Sequence, residues 1–139
     1  FEKNLRENLP YAYLQIGDSF DIARCCEKKF DFIVMDNPQG IYGNYCEHFE
    51  ALKCVNTLGS KDFILIFNVN KRPYNYDQFP EWIKRRSEFY GCDASTLSSE
   101  FLYIFYESLM YSEGFNVLDI KEEKRNNEYL SYFALHLRS

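Results

Sequence analysis

Three short runs bring together residue types that could bind or transfer a small group. Asp36-Asn37-Pro38 places an acid, an amide and a proline directly after the most apolar run of the chain, Phe30-Asp31-Phe32-Ile33-Val34-Met35. Buried apolar walls raise a carboxylate pKa, and a base near neutrality is what proton removal from a nucleophilic amine needs. Asn37 carries both a donor and an acceptor with which to hold that amine, and Pro38 would stiffen the turn. A plain strand-ending Asx turn would use the same residues. Asp18, beside Gly17, could accept hydrogen bonds from an adenine amino group or a ribose, with Ser19 next to it and Phe20 placed to stack on a base. Asp18 could equally cap the next helix. Asn68-Val69-Asn70 forms the third run, and Tyr42 and Tyr45 stand between two glycines where they could line a pocket or cover a sheet edge.

Other chemistries have weaker support. Cys46 and His48 flank one residue, as a metal pair or a Cys-His nucleophile would, but the chain holds only two histidines and no C-x-x-C pair. A zinc site wants three or four ligands, so no metal is expected. The five cysteines, odd in number, read as reduced thiols of a cytoplasmic protein. Gly40 to Tyr45 follows neither the dinucleotide nor the Walker phosphate-loop pattern. Tyr74, Tyr76, Phe79 and Trp82 lie among Lys71, Arg72, Lys84 and Arg85, a mixture that could stack single-stranded bases or form a lid or partner surface. The net charge of −5 disfavours nucleic acid or anionic lipid as a partner, and the short Lys84-Arg85-Arg86 cluster fits a solvated helix face.

The 139 residues suit one domain, and 46% hydrophobic content with 13 Phe and 12 Tyr is too apolar for a disordered chain. No apolar run reaches the roughly 18 residues of a membrane span, so a soluble domain is expected. Phe1, Leu5 and Leu9 predict a helix that Pro10 stops. A strand over Tyr11–Ile16, a helix from Phe20 to Lys28 and a strand over Phe30–Met35 covered on both faces should follow. A helix over Glu47–Leu58 would stop at Gly59, and Phe63–Phe67 would be a buried strand. Residues 70–95 read as an insertion with an amphipathic stretch at Trp82 and Ile83. Ser98 or Ser99 should cap a helix through Tyr111, with Phe101, Leu102, Phe105, Leu109 and Met110 inward and Gly114 ending it. Phe115–Ile120 and Tyr129–Leu137 have too short a connection for a crossover helix and must be antiparallel. The class is α/β, a Rossmann-like, mostly parallel sheet of five strands with helices on both faces and a terminal antiparallel hairpin. In such sheets ligands sit outside the carboxyl ends of the strands, where the three runs fall.

Tyr13 to Ser19, Phe30 to Pro38, Phe63 to Phe67 and the closing hairpin together resemble the later half of a class I S-adenosylmethionine-dependent methyltransferase, a transferase family whose seven-stranded sheet ends in an antiparallel strand. The resemblance spans nearly the whole chain, 1–139, and implies S-adenosylmethionine as cofactor. It places Asp18, and more loosely Ser19 and Phe20, near the adenine, and Asp36, Asn37 and Pro38 toward the methyl group. Tyr42, Tyr45 and Asn68 would then shape the acceptor pocket. Asn37-Pro38-Gln39-Gly40 differs from the Pro-Pro-aromatic motif of the enzymes that methylate nucleic-acid amino groups, and is also similar to the aminopropyltransferase branch. The family's glycine-rich first loop and the acid after its second strand have no counterpart, as though the first two strands were lacking. A partner chain or a preceding amino-terminal segment is therefore expected to complete the sheet. The alternative is a catalytically inactive methyltransferase-like subunit that binds a partner protein or nucleic acid.

Overall fold

The computed structural model describes residues 2–17, 19–36, 49–72, 78, 80–125 and 129–139. Helix α1 (Glu2–Asn8) ends two residues before Pro10, as expected, and α2 spans Ser19–Arg24. Strand β1 (Phe30–Met35) comes next, then single-turn helices α3 (Phe49–Leu52) and α4 (Val55–Leu58) and the long strand β2 (Gly59–Asn70). Helices α5 (Pro80–Tyr90) and α6 (Ser99–Ser112) precede strands β3 (Asn116–Lys124) and β4 (Leu130–Arg138). Pro80 opens α5 at the position where its missing N–H has no helical partner to lose.

The four strands form one sheet in the order β1-β2-β4-β3, with β1 parallel to β2 and β4 antiparallel to both its neighbours. Strands β1, β2 and β3 thus run one way and β4 is wedged between two of them against the grain. The predicted terminal hairpin is present. The predicted mostly parallel, five-stranded sheet is not: the sheet is mixed, because the closing strand inserts beside β2 rather than extending the edge. Tyr11–Ile16 forms no strand, and Tyr11 and Tyr13 are 100% and 84% exposed. Strand preference in such residues is a preference for packing on a pleated, half-buried surface, and among the described residues no strand pairs with this segment.

One face of the sheet carries the core. Ile33 and Met35 of β1, Phe63, Leu65, Phe67 and Val69 of β2, and Phe133, Leu135 and Leu137 of β4 alternate inward. Leu102, Tyr106 and Met110, spaced every four residues along α6, lie over them, with the Tyr106 ring edge-on to Phe67 at 4.6 Å. The Tyr106 hydroxyl, absent from the predicted stripe, bonds that of Tyr90 at 2.8 Å, so the buried polar atoms are paired. The other face is open: Phe32 and Val34 are each 56% exposed and Ile64 39%. The expectation of cover on both faces fails for β1.

The predicted helix over Glu47–Leu58 is broken at Lys53-Cys54 in its described part; α4 ends at Leu58 with Gly59 as its C-cap, as expected, and Gly59 is extended there (φ −68°, ψ 141°). Its role is steric: a Cβ there would stand 2.5 Å from the buried Phe63 ring. The α6 ends match expectation closely. Ser98 accepts from the Phe101 N–H, and Gly114 (φ 89°) donates to Tyr111 while Phe115 donates to Met110, a Schellman closure. Among the described residues no helix is long and apolar enough to cross a membrane.

Candidate functional site

Asp36 directly follows β1, and the parallel pairing of Met35 with Phe67 sets it beside Asn68 on β2. Asn68 is paired in turn with Tyr132 of β4. All three side chains point to the open face, and they meet. Asn68 Nδ2 donates to Asp36 Oδ1 at 2.7 Å, and the Tyr132 hydroxyl donates to the same oxygen at 3.1 Å. Partial burial, then the hydrogen bond to Asp36 and its charge, push the Tyr132 phenol above its ordinary range against a smaller opposing effect of Arg125. Tyr132 therefore stays a protonated donor through neutral pH. Two donors on one oxygen fix the carboxylate plane, and Oδ2 accepts no hydrogen bond among the described residues. It is free to receive an N–H or O–H from an incoming molecule.

The predicted residues fare unevenly. Asp36 and Asn68 are brought together. Asp36 is exposed and not buried among apolar walls as expected. Asn37, Pro38, Tyr42, Tyr45 and Asp18 lie outside the described residues, as do Cys46, His48 and the Phe20 side chain. Ser19 opens α2 and lines a cavity of about 740 Å3 with Tyr13, Ile22 and Phe30. Phe30 is the first residue of β1, so this cavity lies toward the end of that strand opposite Asp36. Tyr132 was not foreseen. The alternation of Ser131, Tyr132 and Phe133 sends Tyr132 away from the core, but only the insertion of β4 beside β2 delivers it to Asp36.

The excursion after β2 is fastened by buried charge. Lys71 Nζ meets Glu122 Oε1 at 2.6 Å and Ser99 Oγ at 3.2 Å, and Ser131 donates to the same Glu122 oxygen. Burial pushes the Glu122 carboxyl up, but the hydrogen bonds from Lys71, Ser131 and Ser99 outweigh it and leave it below the usual range. Arg86 is wholly buried, donates to the carbonyls of Ala94 and Asn70, and stacks near Trp82 and Tyr90. Trp82 has no exposed surface, so it cannot stack a base, and the third residue of the basic cluster belongs to the interior. Tyr74, Tyr76 and Phe79 lie outside the described residues.

No protein-family model matches the chain, and no curated protein does. Among solved structures the chain is similar to a Nostoc punctiforme protein described as a "putative O-methyltransferase", with a TM-score of 0.51 at 10% identity. The match covers 97% of this chain and 39% of that one. A likeness at this identity is one of fold: the α/β arrangement recurs within a larger neighbour, of which this chain spans about two fifths.

Proposed function

We propose that the chain is the later half of a methyltransferase domain that uses S-adenosylmethionine once further polypeptide, a preceding segment or a partner chain, completes the sheet. The observation that carries this reading is the Asp36-Asn68-Tyr132 cluster at the strand exits, within a fold shared with the Nostoc protein. Bound S-adenosylmethionine would supply an electrophilic methyl carbon for in-line displacement. Asp36 Oδ2 would receive the donor hydrogen of the acceptor and turn its lone pair toward that carbon, so most of the rate would come from positioning. Asn68 and Tyr132 would keep the carboxylate from rotating. Asn37 and Pro38 would stand on the methyl side and Tyr42 and Tyr45 on the acceptor side; Ser19, at the opposite end of β1 from Asp36, has no place in this site. The residues present fit the acceptor half of such a site; the methionine end of the donor would rest on the completing polypeptide.

The uncovered Phe32-Val34-Ile64 face favours a second reading, a methyltransferase-like subunit without catalysis whose task is to bind a partner. Calorimetric titration of S-adenosylmethionine and S-adenosylhomocysteine into the protein as it occurs naturally separates the two. Micromolar binding that Asp18→Ala weakens supports the enzyme. No binding by the complete natural protein sinks it and leaves the subunit.

A further inference from the structure

We infer that the outer edge of β1 and the apolar face beside it take a second copy of this chain, with β1 against β1 in antiparallel pairing across a two-fold axis. The two edges of the sheet are built differently. β3 carries Asp119, Lys121, Glu123 and Lys124 within nine residues, the kind of charge that keeps an exposed edge from pairing. β1 carries Asp31 alone in Phe30-Asp31-Phe32-Ile33-Val34-Met35, and among the described residues no strand pairs with its outer edge. A guarded edge and an unguarded one in the same sheet mark the second as the edge that pairs.

A second copy is the occupant because the strand is complementary to itself. A two-fold axis presents the same patch on both copies, and a strand edge meets its own image in antiparallel pairing. Phe30, Phe32 and Val34 alternate outward while Ile33 and Met35 turn to the core. With the axis at Phe32, Phe32 meets Phe32 of the second copy and Val34 meets Phe30 of the second copy, so aromatic and β-branched pairs continue the open face from one copy to the next. An axis at Asp31 would oppose two like charges, and one at Ile33 would set Phe30 against Asp36. The area agrees as well. Tyr13 and Phe30 line one cavity, so the exposed arm before α2 adjoins the start of β1. Phe30, Phe32 and Val34 with Tyr11, Tyr13 and Ile16 of that arm expose on the order of 750 Å2, taking roughly 150–250 Å2 for each aromatic side chain, against about 800 Å2 that each partner gives to a standard interface. The inference rests on the edge and the face, not on methyl transfer, and it identifies the partner that the second reading above leaves open.

The test is sedimentation equilibrium of the full chain from micromolar to hundreds of micromolar, where a monomer–dimer equilibrium is expected. Phe32→Lys and Phe32→Glu should each weaken the dimer by about tenfold or more, because each sets two like charges opposite one another. An equimolar mixture of the two variants should associate to within about threefold of the natural chain, since opposite charges then face each other across the axis. A natural chain that stays monomeric, as it would if a preceding segment held the edge, overturns the inference. So do single variants that dimerise as the natural chain does, or a mixture that associates no better than its components. If neither variant folds, amide hydrogen exchange of the unaltered chain decides: the N–H groups on the outer edge of β1 should exchange more slowly as concentration rises, and exchange independent of concentration overturns the pairing. Loss of the dimer leaves the methyltransferase reading to its own titration.

Discussion

A carboxylate at a strand exit is useful to chemistry when it cannot rotate, and Asp36 is held by two donors of different kinds. Asn68 is 5% exposed and gives its bond at 2.7 Å from the rigid middle of the sheet, whereas Tyr132 reaches in from β4 at 3.1 Å. Asn68→Ala should cost about 1–2 kcal/mol and Tyr132→Phe about 0.5–1 kcal/mol in urea unfolding, because water replaces the second bond more readily than the first. Equal costs would show that the two bonds do not differ in this way. The raised Tyr132 pKa carries its own signature. A group whose folded pKa is raised stabilises below its unfolded pKa and loses that contribution as pH rises through the folded one. The natural chain should therefore lose stability faster above about pH 10 than Tyr132→Phe does. Under the proposed function, Asp36→Asn keeps the shape but turns an acceptor oxygen into an amide, and transfer should fall by about a hundredfold with donor affinity unchanged. Asp36 and Asn68 were legible in sequence because a buried run of β-branched and aromatic residues announces where a strand ends. Tyr132 was not, since its place depends on which distant strand β4 joins.

Short elements here take their shape from single contacts. Gly59 caps α4 as the sequence suggests, in an extended rather than a left-handed conformation, and its lack of a Cβ makes room for the Phe63 ring. Gly59→Ala should destabilise by about 1–3 kcal/mol, the usual cost of forcing an extra carbon into a filled core. Gly114→Ala, strained by its φ of 89° with no neighbour in the way, should cost about 1 kcal/mol. Thermal unfolding of the pair checks the order, and a neutral Gly59→Ala would refute the steric role. The link from Glu122 to Lys71 works across elements, tying β3 to the exit of β2. Its depressed carboxyl contributes stability above the ordinary glutamate range that is lost as pH falls through the folded value. Glu122→Gln should flatten the acid limb of a stability-against-pH curve, and an unchanged limb would remove the pair from the account. Elements with local signals were read correctly: β1 from its apolar run, α6 from its serine cap and closing glycine, the hairpin from its short connection. The strand over Tyr11–Ile16 and the unbroken helix to Leu58 were misread, because propensity proposes an element but only a partner surface keeps it.

At the scale of the whole molecule the sheet is finished on one side only. Tyr106, Leu102 and Met110 seal one face, while Phe32, Val34 and Ile64 lie open on the other and, among the described residues, β1 ends the sheet with an unpaired edge. Exposed apolar side chains on an edge strand invite pairing with another chain, so a covering polypeptide would satisfy both the face and the edge. Asp62, bound by His136 at one carboxylate oxygen and by two Arg138 nitrogens at the other, bounds that face at one end and Asp36 bounds it at the other. An apolar floor with polar ends is how a binding face differs from a sheet that has merely lost its cover. Phe32→Gln with Val34→Thr should therefore change stability by no more than about 1 kcal/mol, since both sites are already more than half exposed. The same change should abolish self-association of the chain in sedimentation at tens of micromolar, and with it the binding of an apolar fluorescent dye. If the unaltered chain sediments as a monomer and binds no dye, the face does not drive association. If instead the double variant unfolds, Phe32 and Val34 belong to the core and the sheet is covered on both sides after all.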